Sequence, residues 1–216
     1  MSETWAGVDV AFVERHYDKI ARFYNIFERI FCTPWEVRRI AIERLGLKPG
    51  YTVLELGCGG GKNMPLLHEK VGEQGWVVGI DISKEMLKRA WARQQKYQLH
   101  RSSLFQCDAL KFGPAATDFD ALLFCLSYHT MPHHKEVLVH AWKLLRPGGR
   151  LVIMDAKPPP GLLGRLTLPL AEWLVRRTVL GNPHVRGWEH LYDFDRNTRV
   201  EEFLLGSYYV ASASKA

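Results

Sequence analysis

Val53-Leu54-Glu55-Leu56-Gly57-Cys58-Gly59-Gly60-Gly61 runs a short apolar strand, with one acid inside it, straight into a glycine-rich turn. The next apolar run, Trp76-Val77-Val78-Gly79-Ile80, ends on a second acid, Asp81. Glycines at such a turn let the backbone approach a ligand with no Cβ in the way. An acid at the tip of the following strand is placed to accept hydrogen bonds from ribose hydroxyls. A ligand carrying a nucleoside is therefore expected. The spacing narrows the choice: Gly57, Gly59 and Gly61 follow G-x-G-x-G, whereas the dinucleotide fingerprint G-x-G-x-x-G needs glycine at 62, where Lys62 stands. Nicotinamide and flavin dinucleotides are disfavoured.

Outward from this turn the chain alternates. Strands are expected near 52–56, 76–80, 103–106, 120–126 and 150–155, separated by helices near 62–71, 83–97 and 133–146. Such alternation implies right-handed crossovers and a parallel sheet covered on both faces, with ligands at the carboxyl edge of the strands. Two further strands, near 199–205 and 207–213, are joined through Gly206 and should pair antiparallel. The expected fold class is α/β, a doubly wound, mostly parallel seven-stranded sheet with an antiparallel last strand. Ser83 with Glu85 provides an N-cap and a first-turn acid. Upstream, Tyr17, Ile20, Tyr24, Phe27 and Phe31 recur at helical spacing, and Thr33-Pro34 opens a second helix ending near Leu45-Gly46. The expected organisation is one domain over 1–216, with N-terminal helices at 10–46 and a lid-like helical insertion at 158–190.

Composition fits that organisation. With 216 residues the chain is long enough for one α/β domain and short for two. Apolar residues at 47% and charged residues at 24% exclude disordered and fibrous classes. The net charge of +6 favours anionic surfaces in general, but the basic residues are scattered and form no nucleic-acid footprint. Cysteines 32, 58, 107 and 125 contain no C-x-x-C pair and read as reduced thiols. The N-terminus lacks the basic start and apolar stretch of a signal peptide, so the expected location is cytoplasmic, with peripheral membrane contact left open.

The acid ahead of the glycines bears on the ligand's charge, because a carboxylate repels a pyrophosphate and attracts an ammonium group. S-adenosylmethionine (SAM) fits, having an adenosine, an ammonium-bearing tail, a sulfonium and no phosphate. From Glu55 to Gly61 the chain resembles the first motif of the class I SAM-dependent methyltransferases: an acid, any residue, then G-x-G-x-G. The resemblance runs from about residue 17 to 157. Tyr17 to Tyr24 looks like the aromatic N-terminal segment of the ubiquinone and menaquinone biosynthesis methyltransferases and their lipid-methylating relatives. Val78 to Ser83, Gln106 to Ala109, Phe119 to Ser127 and Leu144 to Leu151 resemble the later motifs in order.

The resemblance implies that Glu55, Gly57, Cys58, Gly59 and Gly61 surround the amino-acid tail of SAM, and that Asp81 holds the ribose. It further implies Ile82 and Met86 against the adenine face, Asp108 and the Ala109 backbone at the adenine amino group, and Leu126 and Ser127 beside the sulfonium. Tyr17 and Tyr24 could close over the cofactor or simply pack in the core, since both sit on the apolar stripe. His129 is the first candidate for a catalytic base, and Tyr128 the second, because both follow the fourth strand at the ligand edge and an imidazole titrates near neutrality. His133 and His134 add to the histidines, but Pro132 breaks the helical spacing and no metal is expected. Trp188-Glu189-His190 could line an acceptor pocket.

Residues 158–183 break the alternation: a Pro-Pro-Pro-Gly stretch leads into a long apolar segment carrying Arg165, Glu172, Arg176 and Arg177, with Pro169 placed to kink it. It could cover the sheet, form a lid over a greasy acceptor, or rest on a membrane through 161–180. The partner expected is a small-molecule or lipid acceptor such as a quinone precursor or phospholipid amine. Tyr128-His129-Thr130 departs from the arginine and asparagine that the quinone enzymes favour there. A soluble amine, thiol or hydroxyl acceptor, and a SAM-binding module without turnover, are the alternatives.

Overall fold

The computed structural model describes residues 9–21, 35–113, 118–177 and 181–216. Tyr24, Phe27, Phe31, Cys32 and the Thr33-Pro34 cap lie outside them. The elements in chain order are α1 (Val10–Ile20), α2 (Trp35–Arg44), β1 (Thr52–Leu56), α3 (Met64–Val71), β2 (Trp76–Asp81), α4 (Lys84–Lys96), β3 (Ser102–Gln106), β4 (Phe119–Cys125), a 3-10 turn (Tyr128–Thr130), α5 (His134–Leu144), β5 (Leu145–Ala156), α6 (Gly161–Arg177), α7 (Gly187–Leu191), β6 (Arg199–Phe203) and β7 (Tyr208–Ser214).

The seven strands lie in the order β3-β2-β1-β4-β5-β7-β6. Strands β1 to β5 pair in parallel, and β7 runs antiparallel to both its neighbours, β5 and β6. The chain order reverses between β1 and β4, the switch point at which the loops diverge and leave a crevice.

Successive side chains of a strand point to opposite faces, and the strands are apolar on both. Leu54, Leu56, Ile80, Leu122, Phe124 and Ile153 pack on one face under α5. Val53, Val77, Leu123, Val152 and Met154 pack on the other, under α2, α3 and α4. The same period places Glu55 on the face of Val53, so its carboxyl meets the helices rather than water.

Local signals account for most boundaries. Ser83 caps α4 by accepting from the Met86 N–H at 3.1 Å, and Asp18 of α1 adds a second cap, accepting from Ser83 Oγ at 2.6 Å and the Glu85 N–H at 3.2 Å. Strand β5 begins earlier than the expected 150, with a register shift against β4 before Arg150. Contact with the C-terminus explains the extension: the Gly148 N–H donates to the Lys215 carbonyl at 2.8 Å, and the Lys215 N–H to the Gly149 carbonyl at 3.0 Å. Strand β6 ends at Phe203 because Leu204, Leu205 and Gly206 all take positive φ, turning the chain into β7. Pro169 sits inside α6, which continues through it.

Candidate active site

A cleft enclosing about 1050 Å³ of space, open to solvent, lies at the carboxyl ends of β1 to β4. Its wall contains Glu55, Gly57, Cys58 and Gly59 from the first turn, Asp81, Ile82 and Met86 after β2, Asp108 and Ala109 after β3, and Leu126 and Ser127 after β4. Tyr17 of α1 lines it from above, with Val10 and Val13. Of the expected cofactor-contacting residues among those described, only Gly61 is not on this wall.

Gly57, Gly59 and Gly60 present backbone to the cleft, and two glycines of the turn are also constrained by packing. Gly57, at φ +72°, has no room for a side chain, because a Cβ there would stand 2.6 Å from the Ser127 Cβ. Ser127 is in turn fixed by donating its hydroxyl to the Leu56 carbonyl at 2.6 Å. Gly61, at φ +70°, would push a Cβ to 2.8 Å from the Met64 sulfur and 3.1 Å from the Ala90 Cβ. Its constraint is packing of the turn onto α3 and α4, and it lies behind the cleft wall rather than on it. Leu126 holds a left-handed conformation at φ +58°, strain of the kind that concentrates at functional edges.

Two acids, Glu55 buried and Asp81 half-buried, dominate the electrostatics. Glu55 is 1% exposed; one of its oxygens accepts from Asn63 Nδ2 at 2.5 Å, and the other has no hydrogen-bond partner. Burial pushes its carboxyl up to about 7, against the opposing pull of Asn63 and the Arg38 guanidinium. Asp81 accepts from the Gly59 N–H at 2.7 Å through one oxygen and from the Ser83 N–H at 2.9 Å through the other. Burial outweighs these hydrogen bonds and raises it to about 6. A carboxylate offers about four acceptor positions, so Asp81 retains capacity for hydroxyl donors.

Arg38 and Asn63 carry a part that the sequence did not reveal. Arg38 is buried on α2 and lines the cleft beside Glu55, donating to Asn63 Oδ1 at 3.3 Å and approaching Cys125 Sγ at 3.3 Å. Its signal lay in the spacing: Arg38 falls on the stripe formed with Ala41, Ile42 and Leu45, where an apolar residue belongs.

His129 and Tyr128 do not line the cleft. The chain turns sharply after Leu126 and buries both in the 3-10 turn. The His129 N–H donates to Asp155 Oδ2 at 2.9 Å, and its Nδ1 lies 2.5 Å from Asp155 Oδ1. Gly181 covers the opposite edge of the ring so closely that a Cβ there would stand 1.8 Å from Cδ2. The Tyr128 hydroxyl meets His190 Nδ1 at 2.8 Å, the His134 ring stacks on His190, and burial pushes the phenol up. The two expected candidates for a base therefore lie off the cleft wall, and their side chains tie β4 to β5 and α7. Trp188 packs edge-on against Tyr209.

A doubly wound sheet in this strand order, with an acid-flanked glycine turn at its switch point, defines the Rossmann-like methyltransferase class. The methyltransferase domain family model matches residues 47–194, and the chain belongs to that family, among the class I SAM-dependent methyltransferases. It is similar to the demethylmenaquinone methyltransferase of Oceanobacillus iheyensis, 30% identical over 155 residues that cover 65% of this chain and 64% of the relative. The chain thus spans just under two thirds of that relative's length. Among solved structures, a SAM-dependent methyltransferase from Aquifex aeolicus superposes with TM-score 0.63 at 23% identity, over 83% of this chain and 89% of its own. The Haemonchus contortus phosphoethanolamine N-methyltransferase 2, in complex with phosphomonomethylethanolamine and S-adenosylhomocysteine, gives TM-score 0.76 at 17% identity, over 97% of this chain and 61% of its own.

Proposed function

We propose that the chain transfers a methyl group from SAM to a small, lipophilic acceptor of the quinone-precursor or phospholipid-amine kind. The observation that carries the SAM part is the unpartnered carboxyl oxygen of Glu55 on the cleft wall. A buried acid kept without a partner is costly, and an ammonium group supplies what it lacks. Arg38 brings a guanidinium to the same end, so a zwitterionic amino-acid tail finds both its counter-charges. Asp81 would hold the ribose hydroxyls, Ile82 and Met86 the adenine face, Asp108 and the Ala109 backbone the adenine amino group, and Leu126 and Ser127 the region of the sulfonium. Tyr17 would cover the cofactor from α1.

When bound, SAM supplies an electrophilic methyl whose leaving group departs neutral. The protein's task is alignment and exclusion of water, which can contribute up to roughly 7 to 11 kcal/mol. The acceptor reading is supported by the name of the Oceanobacillus relative and by the apolar cleft wall at Val13, Met131, Pro132 and Val137. A soluble amine is the second reading, favoured by the phosphorylated acceptor named for the Haemonchus structure, whose phosphate Lys62, Arg89 and Arg93 on the wall would suit. Incubation with methyl-labelled SAM and separated lipid and aqueous extracts tests the two. Label in the lipid fraction is expected; label only in the aqueous fraction would exchange them, and no SAM binding by calorimetry would remove both.

A further inference from the structure

The register of the last three strands brings two remote segments to one place. Tyr208, the first residue of β7, pairs with Ala156 at the end of β5 and with Phe203 at the end of β6. The β6–β7 hairpin tip and the chain leading into α6 therefore emerge together at the carboxyl edge of the sheet, the edge that bears the cleft. They touch: a Cβ on Gly206 would stand 2.6 Å from Pro160 Cδ, and the Lys157 N–H donates to the Ser207 carbonyl at 2.9 Å.

Both segments turn large apolar side chains to solvent. On α6, Leu162, Leu166, Leu170 and Trp173 recur at helical spacing and are 72%, 69%, 60% and 49% exposed. On the hairpin, Leu204 and Leu205 are 55% and 82% exposed, although both occupy the left-handed region that bulky residues avoid. Their strain contributes nothing to the core. Charge is arranged to match. The neighbouring acids are engaged locally, Glu172 in contact with the His184 ring at 3.1 Å and Glu202 paired with Lys157 at 2.9 Å. Arg165 is exposed at the border of the stripe, and the chain as a whole carries +6.

We propose that the α6 stripe and the β6–β7 hairpin tip form one surface that docks on an anionic phospholipid bilayer. A leucine and tryptophan stripe bordered by arginine is the composition of a helix lying in the membrane plane, and no described helix is long and apolar enough to cross one. The proposal rests on the lipophilic-acceptor reading for its purpose, since docking presents the cleft edge to a substrate dissolved in lipid.

Co-sedimentation of the full chain with phosphatidylcholine vesicles, with and without phosphatidylglycerol, tests it. The protein should pellet with the phosphatidylglycerol vesicles, less so in high salt. Leu166→Asp with Leu170→Asp, and separately Leu205→Asp, should each weaken the partition by about tenfold or more, with melting temperature and SAM affinity retained. Wild-type protein left in the supernatant, or variants that pellet like wild type, would overturn the proposal. So would self-association that the same variants abolish without any vesicle binding, which would give the surface to a second copy. Vesicle binding without label in lipid fractions would sink the acceptor reading alone; lipid labelling without vesicle binding would sink the docking alone.

Discussion

Two carboxylates are buried at the carboxyl edge of the sheet, Glu55 on β1 and Asp155 on β5, and their surroundings are opposite. Asp155 is fully enclosed and takes both the N–H and Nδ1 of His129. Glu55 is as deeply enclosed but has one oxygen bonded only to Asn63 and the other to nothing. Asp155 lies off the cleft and Glu55 on it. A carboxylate satisfied within the fold serves the fold; one left half-satisfied on a cavity wall is the one we propose meets something that enters the cavity.

Removing each acid should therefore have opposite consequences. Asp155→Ala would orphan two buried donors, each worth about 1 to 3 kcal/mol, and should lower the melting temperature steeply while leaving SAM affinity per folded molecule nearly intact. Asp81→Ala should weaken SAM binding by about a hundredfold, the loss of hydrogen bonds to a charged acceptor; unchanged affinity by calorimetry would refute the ribose assignment. Glu55→Gln should reduce SAM affinity by about tenfold and yet stabilise the free protein at pH 8. The sign follows from the raised carboxyl. In the folded chain Glu55 holds its proton up to about 7 against a usual 4.5, so its contribution to stability is intact below the lower value and is lost as pH climbs to the upper one. That loss amounts to about 3 kcal/mol at most, and Gln removes it. If Glu55→Gln and Asp155→Ala destabilise alike, the contrast between the acids fails.

The half of the site built from contiguous chain was legible in the sequence. Strand β1 matches its expected 52–56, since an unbroken apolar run into a glycine turn has few other solutions. Asp81 could be placed because it ends β2 and answers to the turn beside it. What escaped was tertiary. Arg38 reaches Glu55 from a helix before the first strand, and Asn63 from the turn at the start of α3. Nearness to β4 in the chain puts His129 at the ligand edge of the sheet, but Leu126 at φ +58° redirects the backbone toward β5. Its partner Asp155 lies 26 residues further on. Adjacency in sequence carries a residue to the correct edge of a sheet, and the local φ decides which side of that edge it joins.

The raised carboxyls also predict a proton effect on binding. Burial holds Asp81 near 6 and Glu55 near 7, whereas a bound ammonium at Glu55 and ribose hydroxyls donating to Asp81 would favour both ionised. SAM binding should release about one to one and a half protons near pH 6 and little at pH 8. Calorimetry in buffers of different ionisation enthalpy reads the release directly, and affinity should fall as pH drops below about 7. Buffer-independent enthalpies at pH 6 would show that neither acid loses its proton to the bound ligand.

The smallest effect is expected at His129. With its Nδ1 on Asp155 and Gly181 against its far edge, the imidazole is placed to hold β4, β5 and the 181–182 strand of chain together, the last through the Asn182 N–H donating to the His129 carbonyl at 2.7 Å. His129→Ala keeps that backbone bond but leaves Asp155 one partner short, so the melting temperature should fall. Turnover per folded molecule, measured well below melting, should stay within about threefold of wild type, because nothing made only in the transition state is lost. A hundredfold fall in turnover with SAM affinity intact would overturn this and return the imidazole to the chemistry, the segment at Gly181 then having to move aside before each methyl transfer.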